Sequence, residues 1–390
     1  MTASTTEGVP AHPLDQRMPR LDALTGARWW AAFVVFLYHM HVFAPVPGIT
    51  AEIVRQGFFG VTFFFVLSGF VLTWSASRVV TLSTFYWRRF ARIWPVHVAA
   101  TLIAIPVFYS FAPDPDQPWV KPVDVVVLLL SILLLQAWSR DPTVLFAGNP
   151  AAWTLSVEAL FYAVHPWIGK VMHRWRVRGA VTLALAVVSA AFVYRALAMV
   201  APESVVAQLP YPLVRLSEFV IGMALAWAVR CGWRPRVSVW AALGATAVII
   251  GLITVVPTRF AGTLAATVIG GFANELVTVG CAVSILAIGM RSLEGRPSAF
   301  SLPIIVRLGE WSYAFYLVHA TIIYIVLANV GYQSPSWSNL VYYPVLLALA
   351  IAAAAALHLG VEKPIERRMR RWKDDRAARA ATPTAPQTAA

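Results

Sequence analysis

Charge is scarce in this sequence. Asp, Glu, Lys and Arg make up 13% of its 390 residues, where soluble domains carry about 25%. With 59% hydrophobic residues and a mean hydropathy of +0.68, that scarcity excludes a water-soluble fold and leaves an integral membrane protein. Cysteine is scarcer still. Cys231 and Cys281 are the two present, without metal-like spacing, so neither a disulfide framework nor a zinc site is expected. The nucleophile elbow Gly-x-Ser-x-Gly and the zinc helix His-Glu-x-x-His are missing too, which argues against a serine hydrolase and a zinc peptidase. Residues 1–20 carry Glu7 and Asp15 and lack a short apolar core before a small-residue cleavage site. They read as a disordered cytoplasmic lead-in and not as a cleaved signal peptide.

Apolar runs are what the chain has in plenty. They fall at about 28–45, 57–77, 93–112, 123–137, 153–170, 180–200, 212–230, 237–256, 273–290, 304–330 and 339–361. Unbroken runs of about twenty residues exclude a β-barrel, whose strands alternate over about ten. The net charge of +13 reports topology and not a nucleic-acid partner, because the basic residues cluster between the runs. If 123–137 is re-entrant or lies along the outer face, twenty-five of the 31 Lys and Arg fall on one side. The positive-inside rule makes that side cytoplasmic. The run is also the shortest, below spanning length. The expected fold is all-α: a polytopic membrane bundle of about ten transmembrane helices, plus a short re-entrant or interfacial helix at 123–137. Both termini are expected in the cytoplasm. Residues 21–364 read as one transmembrane domain. Residues 365–390 read as a cytoplasmic tail, first a basic membrane-surface anchor and then low complexity.

Polar residues interrupt the runs at defined places. Arg28 and His39 stand eleven positions apart, roughly 16 Å along a helix, so Arg28 meets a water interface while His39 lies near the midplane. An ionisable residue held there is a functional candidate; a His satisfied by a neighbouring carbonyl is the plainer alternative. Trp87 to Pro95 packs Arg88, Arg89 and Arg92 between two Trp. This is either a topology signal or a phosphate clamp, since the guanidinium fork suits phosphate oxygens. Glu158 lies inside an apolar helix beside Ser156 and Tyr162 and needs a partner; the intramembrane His and Arg are candidates. Arg215 and Glu218 are spaced to pair locally. Tyr316 and His319 share a helix face, and Gly57 to Phe70 reads as close helix packing. These features fit a proton-coupled exporter, a channel or receptor, or an enzyme. The enzyme would use His39 as general base on a hydroxyl and the Arg cluster to hold a phosphorylated donor.

Six motifs in order resemble the acyltransferase 3 family of membrane O-acyltransferases, over about Leu21 to Pro364. They are Arg28 with His39, Phe64-Phe-Val-Leu-Ser-Gly-Phe70, Arg89-Phe-Ala-Arg92, Trp153-Thr-Leu-Ser-Val-Glu158, Tyr313-Ala-Phe-Tyr-Leu-Val-His319 and Val361-Glu362-Lys363-Pro364. The first blocks are similar to the actinobacterial branch that acylates macrolides and related antibiotics. Ala159-Leu160 follow Glu158 where many members carry Glu-Gln. The resemblance implies a ten-helix core in the cytoplasmic membrane and transfer of a short acyl group from acyl-CoA to a hydroxyl. The acceptor would be a macrolide or its sugar, or alternatively a cell-envelope glycan or lipid-linked sugar. It implies His39 and Glu158 as catalytic residues, with Glu158 orienting His39. Arg28, Arg88, Arg89, Arg92, Ser68, Trp153, Tyr162, Tyr313 and His319 would bind substrate or CoA. Acyl-CoA is then a co-substrate, with no permanently bound cofactor, no metal and no nucleic acid, and the lipid bilayer is the setting.

Overall fold

A computed structural model describes residues 13–16 and 18–381. Ten long helical spans run through it. The first is α1 (Asp22–Phe43), followed by α2 (Gly60–Trp74), which a short helix and a 3-10 turn extend back to Ile49. Then come α3 (Leu82–Phe108) and a short helix, α4 (Val125–Ile132). The remaining spans are α5 (Trp153–Met172), α6 (Val177–Val200), α7 (Leu216–Arg230) and α8 (Val239–Arg259), then α9 (Ala273–Leu293), α10 (Pro303–Val330) and α11 (Tyr342–Leu357). A π-turn, His358–Glu362, joins α11 to α12 (Lys363–Ala381). Among the described residues, eight spans are long and apolar enough to cross a membrane. The other two, α1 and α5, are 22 and 20 residues long but more polar, and they carry Arg28, His39 and Glu158. The ten runs expected to span correspond to these ten helices.

The run at 123–137 does not cross. Helix α4 has 8 residues, and the chain turns back through Leu134, whose φ is 60°. Polar groups of α3 fix it there: His97 Nε2 lies 3.0 Å from the Ser131 carbonyl, and Trp94 Nε1 donates to that of Ile132. A short parallel pairing of Tyr109 and Ser110 with Lys121 and Pro122 closes the rest of the connection.

Helices alternate between two ends, and contacts confirm which termini meet. At the arginine-rich end, Trp74 Nε1 donates to the Pro19 carbonyl (2.9 Å) and Arg20 pairs with Glu310 (2.7 Å). Arg230 gathers the carbonyls of Thr73, Trp74 and Ala76, along with those of Pro13 and Gln16. Residues 13–16 and 18–20, expected to be disordered, are therefore packed, with Leu14 buried; residues 1–12 and 17 lie outside the described residues. The basic stretch expected as a surface anchor is also built in. Helix α12 lies along α3, with Trp87 Nε1 donating to the Met369 carbonyl (2.8 Å) and Trp87 against Trp372 (5.1 Å between centroids). Residues 382–390 lie outside the described residues.

The inner helices approach backbone to backbone. A Cβ on Gly69 would run into the Phe219 carbonyl, and one on Gly222 into that of Val66, so α2 and α7 meet through reciprocal glycines, the small-residue device of membrane helices. The outer helices α6 and α8 instead expose Leu185, Val193, Leu197, Val248 and Leu252, a surface suited to lipid and not to water. Gly222→Val should separate α2 from α7 and cost about 1–3 kcal/mol of overpacking, seen as a lower melting temperature of the detergent-purified protein. An unchanged melting temperature would contradict the contact.

Candidate active site

Among the described residues, two of the cavities gather the polar side chains singled out above, one toward each end of the bundle. The first, of about 110 Å³, is lined by Arg28, Arg89, Arg92, Glu158, Tyr162 and Ser68, with Tyr313 and Tyr316 across from them. The second, of about 510 Å³, is lined by His39, Tyr38, Lys121, Trp119, Trp153 and Arg215, again with Tyr316. Val61 and Tyr316 line both and form the partition between them.

The polar geometry of the first cavity follows from helical spacing. Arg89 and Arg92 are three apart on α3 and share a face; Arg88 points elsewhere, toward α12, where it lies 3.6 Å from Asp374. Arg88 therefore does not join the clamp expected of it. Arg28 on α1 faces Arg92, Glu158 and Tyr162. Glu158 Oε1 accepts a hydrogen bond from Ser68 Oγ at 3.1 Å and another from the Tyr162 hydroxyl. The Arg89 guanidinium lies 5.9 Å from the centre of the Tyr162 ring. Tyr313 reaches past the cluster to donate to the Ile93 carbonyl (3.3 Å). Glu158 thus supplies negative charge to three guanidinium groups. The expected pairing with His39 is corrected: the hydrogen bonds of Glu158 go to Ser68 and Tyr162, because α5 presents it to the arginine end.

His39 sits on the other side of the partition against His319, with ring centroids 5.0 Å apart. His319 is fully buried. Its Nδ1 lies 3.2 Å from the Phe315 carbonyl four residues back. A carbonyl only accepts, so Nδ1 carries a hydrogen, and Nε2 has no hydrogen-bond partner among the described residues. Phe315 stacks on His319 at 5.7 Å and Tyr316 flanks it. Trp153, expected in the site, lines the second cavity beside Tyr211. The connection around α4 forms the wall near His39: Lys121 Nζ donates to the carbonyls of Thr143 and Phe146, and Asn149 Nδ2 to that of Leu317 on α10 (2.7 Å).

Three features escaped the sequence reading. Helical spacing marks Tyr316 as a face neighbour of His319 and not as the partition. Lys121 sits in a Pro- and Asp-rich loop that carried no motif. Glu362 and Glu366 face Arg92 from the C-terminal helix, although Glu362 lay in a motif block that could have flagged it. Arg215 and Glu218 pair as expected, at 2.6 Å, with Asn274 joining them. Among the described residues no group of three His, Cys, Asp or Glu could hold a metal ion. An arginine-lined cleft against a cavity holding a histidine with aromatic walls can hold a phosphorylated molecule at one end and a neutral one at the other.

Comparison with known proteins bears on this arrangement. Residues 21–359 match the family described as acyltransferase domain. The chain is 36% identical over 376 residues to acyltransferase MdmB of Streptomyces mycarofaciens, an alignment covering 90% of this chain and 93% of that protein. It is 30% identical over 319 residues to exopolysaccharide production protein ExoZ of Rhizobium meliloti, covering 80% of this chain and 90% of that protein. A shorter likeness, 27% over 172 residues, links it to nodulation protein 10 of Rhizobium leguminosarum, with 41% and 47% covered. No solved structure matches the chain.

Glu158→Ala should leave the guanidinium cluster short of negative charge and the Ser68 and Tyr162 hydroxyls without their acceptor. A loss of about 1–3 kcal/mol is expected, with Glu158→Gln losing less because its amide oxygen still accepts. Thermal unfolding in detergent measures both, and an Ala variant as stable as the parent would remove Glu158 from that role.

Proposed function

The chain belongs to the acyltransferase-domain family of membrane proteins, and from that premise we propose that it moves a short acyl group from acyl-CoA to a hydroxyl of a macrolide or its sugar. The observation that carries the reading is the shared partition: an arginine-lined cleft and a histidine-lined cavity meet at Val61 and Tyr316. Coenzyme A carries a pyrophosphate and a ribose phosphate, groups that Arg28, Arg89 and Arg92 can bind through charge-assisted hydrogen bonds. Its pantetheine arm would then run past Glu158 and Tyr313 to bring the thioester to Tyr316. The acceptor occupies the second cavity, whose Trp and Tyr walls suit a sugar or macrolactone face. The basic end faces the cytoplasm, where acyl-CoA is made, and both termini lie there, as the distribution of Lys and Arg supports.

His39 is the general base in this reading. Its neutral imidazole takes the proton of the acceptor hydroxyl as that oxygen attacks the thioester carbonyl. The tetrahedral intermediate collapses, the C–S bond breaks, and the imidazolium returns its proton to the leaving thiolate. His319, held by the Phe315 carbonyl, packs against the His39 ring and keeps its Nε2 unpartnered. Glu158 acts on the donor side, as counter-charge to the clamp and not as the carboxylate behind the base. No protein nucleophile is required. The 30% identity to ExoZ favours a second reading in which the acceptor is an envelope glycan.

The test follows thiol release from acetyl-, propionyl- and isovaleryl-CoA by the purified protein against macrolides and oligosaccharides, with His39→Ala alongside. Acceptor-dependent release that falls at least about 100-fold in His39→Ala is expected, within the range of general-base contributions. The preferred acceptor decides between macrolide and glycan. A wild-type protein that releases no thiol from any donor ends the acyltransferase reading.

A further inference from the structure

Arg89 lines the cleft, yet its Nε is shut off from solvent without a hydrogen-bond partner among the described residues, and the same holds for Nε of Arg370 on α12. Arg370 lies close enough to Arg89 for their charges to repel. Their approach is held by the docking of α12 on α3: Trp87 Nε1 donates to the Met369 carbonyl, Trp87 packs on Trp372, Lys373 Nζ donates to Ser83 Oγ at 2.8 Å, and Arg88 pairs with Asp374. Glu366 takes one Nη of Arg370, while Glu362, bonded to His358 Nδ1 at 2.9 Å within the π-turn, and Glu366 face Arg92. The local acids thus lend negative charge to Arg92 and take one edge of Arg370. The Nε–H groups of Arg89 and Arg370 stay unanswered.

Two like charges brought together, each with an idle buried donor, mark a place for an anion with several oxygens. A phosphate group has that shape and charge, and the guanidinium fork suits it. The π-turn matters here. Pro364 has no N–H to give a carbonyl one turn back, and the widened turn that precedes it sets the rotation at which α12 leaves the bundle.

We propose that α12 completes the donor site, with Arg370 and Arg89 together binding a phosphate group of the acyl-CoA. The proposal rests on the acyltransferase reading for the identity of that phosphate. An anionic lipid headgroup offers the same chemistry, and the experiment separates the two.

The full chain is purified in detergent and in nanodiscs of neutral or phosphatidylglycerol-containing lipid. CoA, 3′-dephospho-CoA and pyrophosphate are titrated against wild type, Arg370→Gln, Arg370→Lys and, as a control, exposed Arg368→Gln. Arg370→Gln should raise the Kd for CoA and the KM for acyl-CoA about tenfold, with kcat within twofold. Arg370→Lys keeps a cation beside Glu366 but loses the Nε–H, so it should lie between, and it carries the test if the Gln variant misfolds. Arg368→Gln should match wild type. Turnover with KM unchanged in both Arg370 variants overturns the proposal and leaves the acyltransferase reading standing. CoA binding that depends on Arg370 without any acyl transfer upholds the site and ends that reading. An effect confined to phosphatidylglycerol nanodiscs gives the site to a lipid headgroup and overturns the proposal.

Discussion

Guanidinium groups inside a helical bundle need negative charge and hydrogen-bond acceptors within reach, because taking each ion out of water costs several kcal/mol. The arginine end of this protein is arranged around that need. Arg28, Arg89 and Arg92 come from two helices, and their counter-charges come from three other elements: Glu158 on α5, Glu362 in the π-turn and Glu366 on α12. Five elements are therefore drawn to one another through charge. Three of the ten spans, α1, α3 and α5, thus carry ionisable side chains of this cluster through apolar sequence.

The second consequence is a division of labour between the ends. Arg28, Arg89 and Arg92 gather at one, while His39 and His319 lie behind Tyr316 and Val61 toward the other. A base beside three guanidinium groups would be surrounded by positive charge. Across the partition of Val61 and Tyr316, His39 is set apart from that charge. The connection around α4 holds this side in place through side chains bonded to backbone carbonyls: Asn149 to Leu317, Ser131 to Ala147, and Gln136 to Ala152. Such bonds replace the ladder hydrogen bonds that irregular backbone lacks, and irregular backbone at membrane depth is tolerated where protein covers it.

Much of this was open to reading from the chain alone. The ten spans, the failure of 123–137 to cross, and the presence of Arg28, His39, Arg89, Arg92 and Glu158 inside apolar helices follow from local rules. Hydropathy is a property of consecutive residues, and a charge in an apolar run is conspicuous without knowing its neighbours. Which helix faces meet is not local. Ser68 finds Glu158 across 90 positions and Trp87 finds Met369 across 282. No spacing rule links such residues, so the tertiary structure alone turned Glu158 away from His39, sent Arg88 to Asp374, made Tyr316 a wall between two cavities and brought the C-terminal helix to the arginines. The sequence by itself determined where polar groups sit along each helix, because the bilayer makes their presence costly. Only packing decided which partners they meet, because that depends on the rotation and depth of every helix at once.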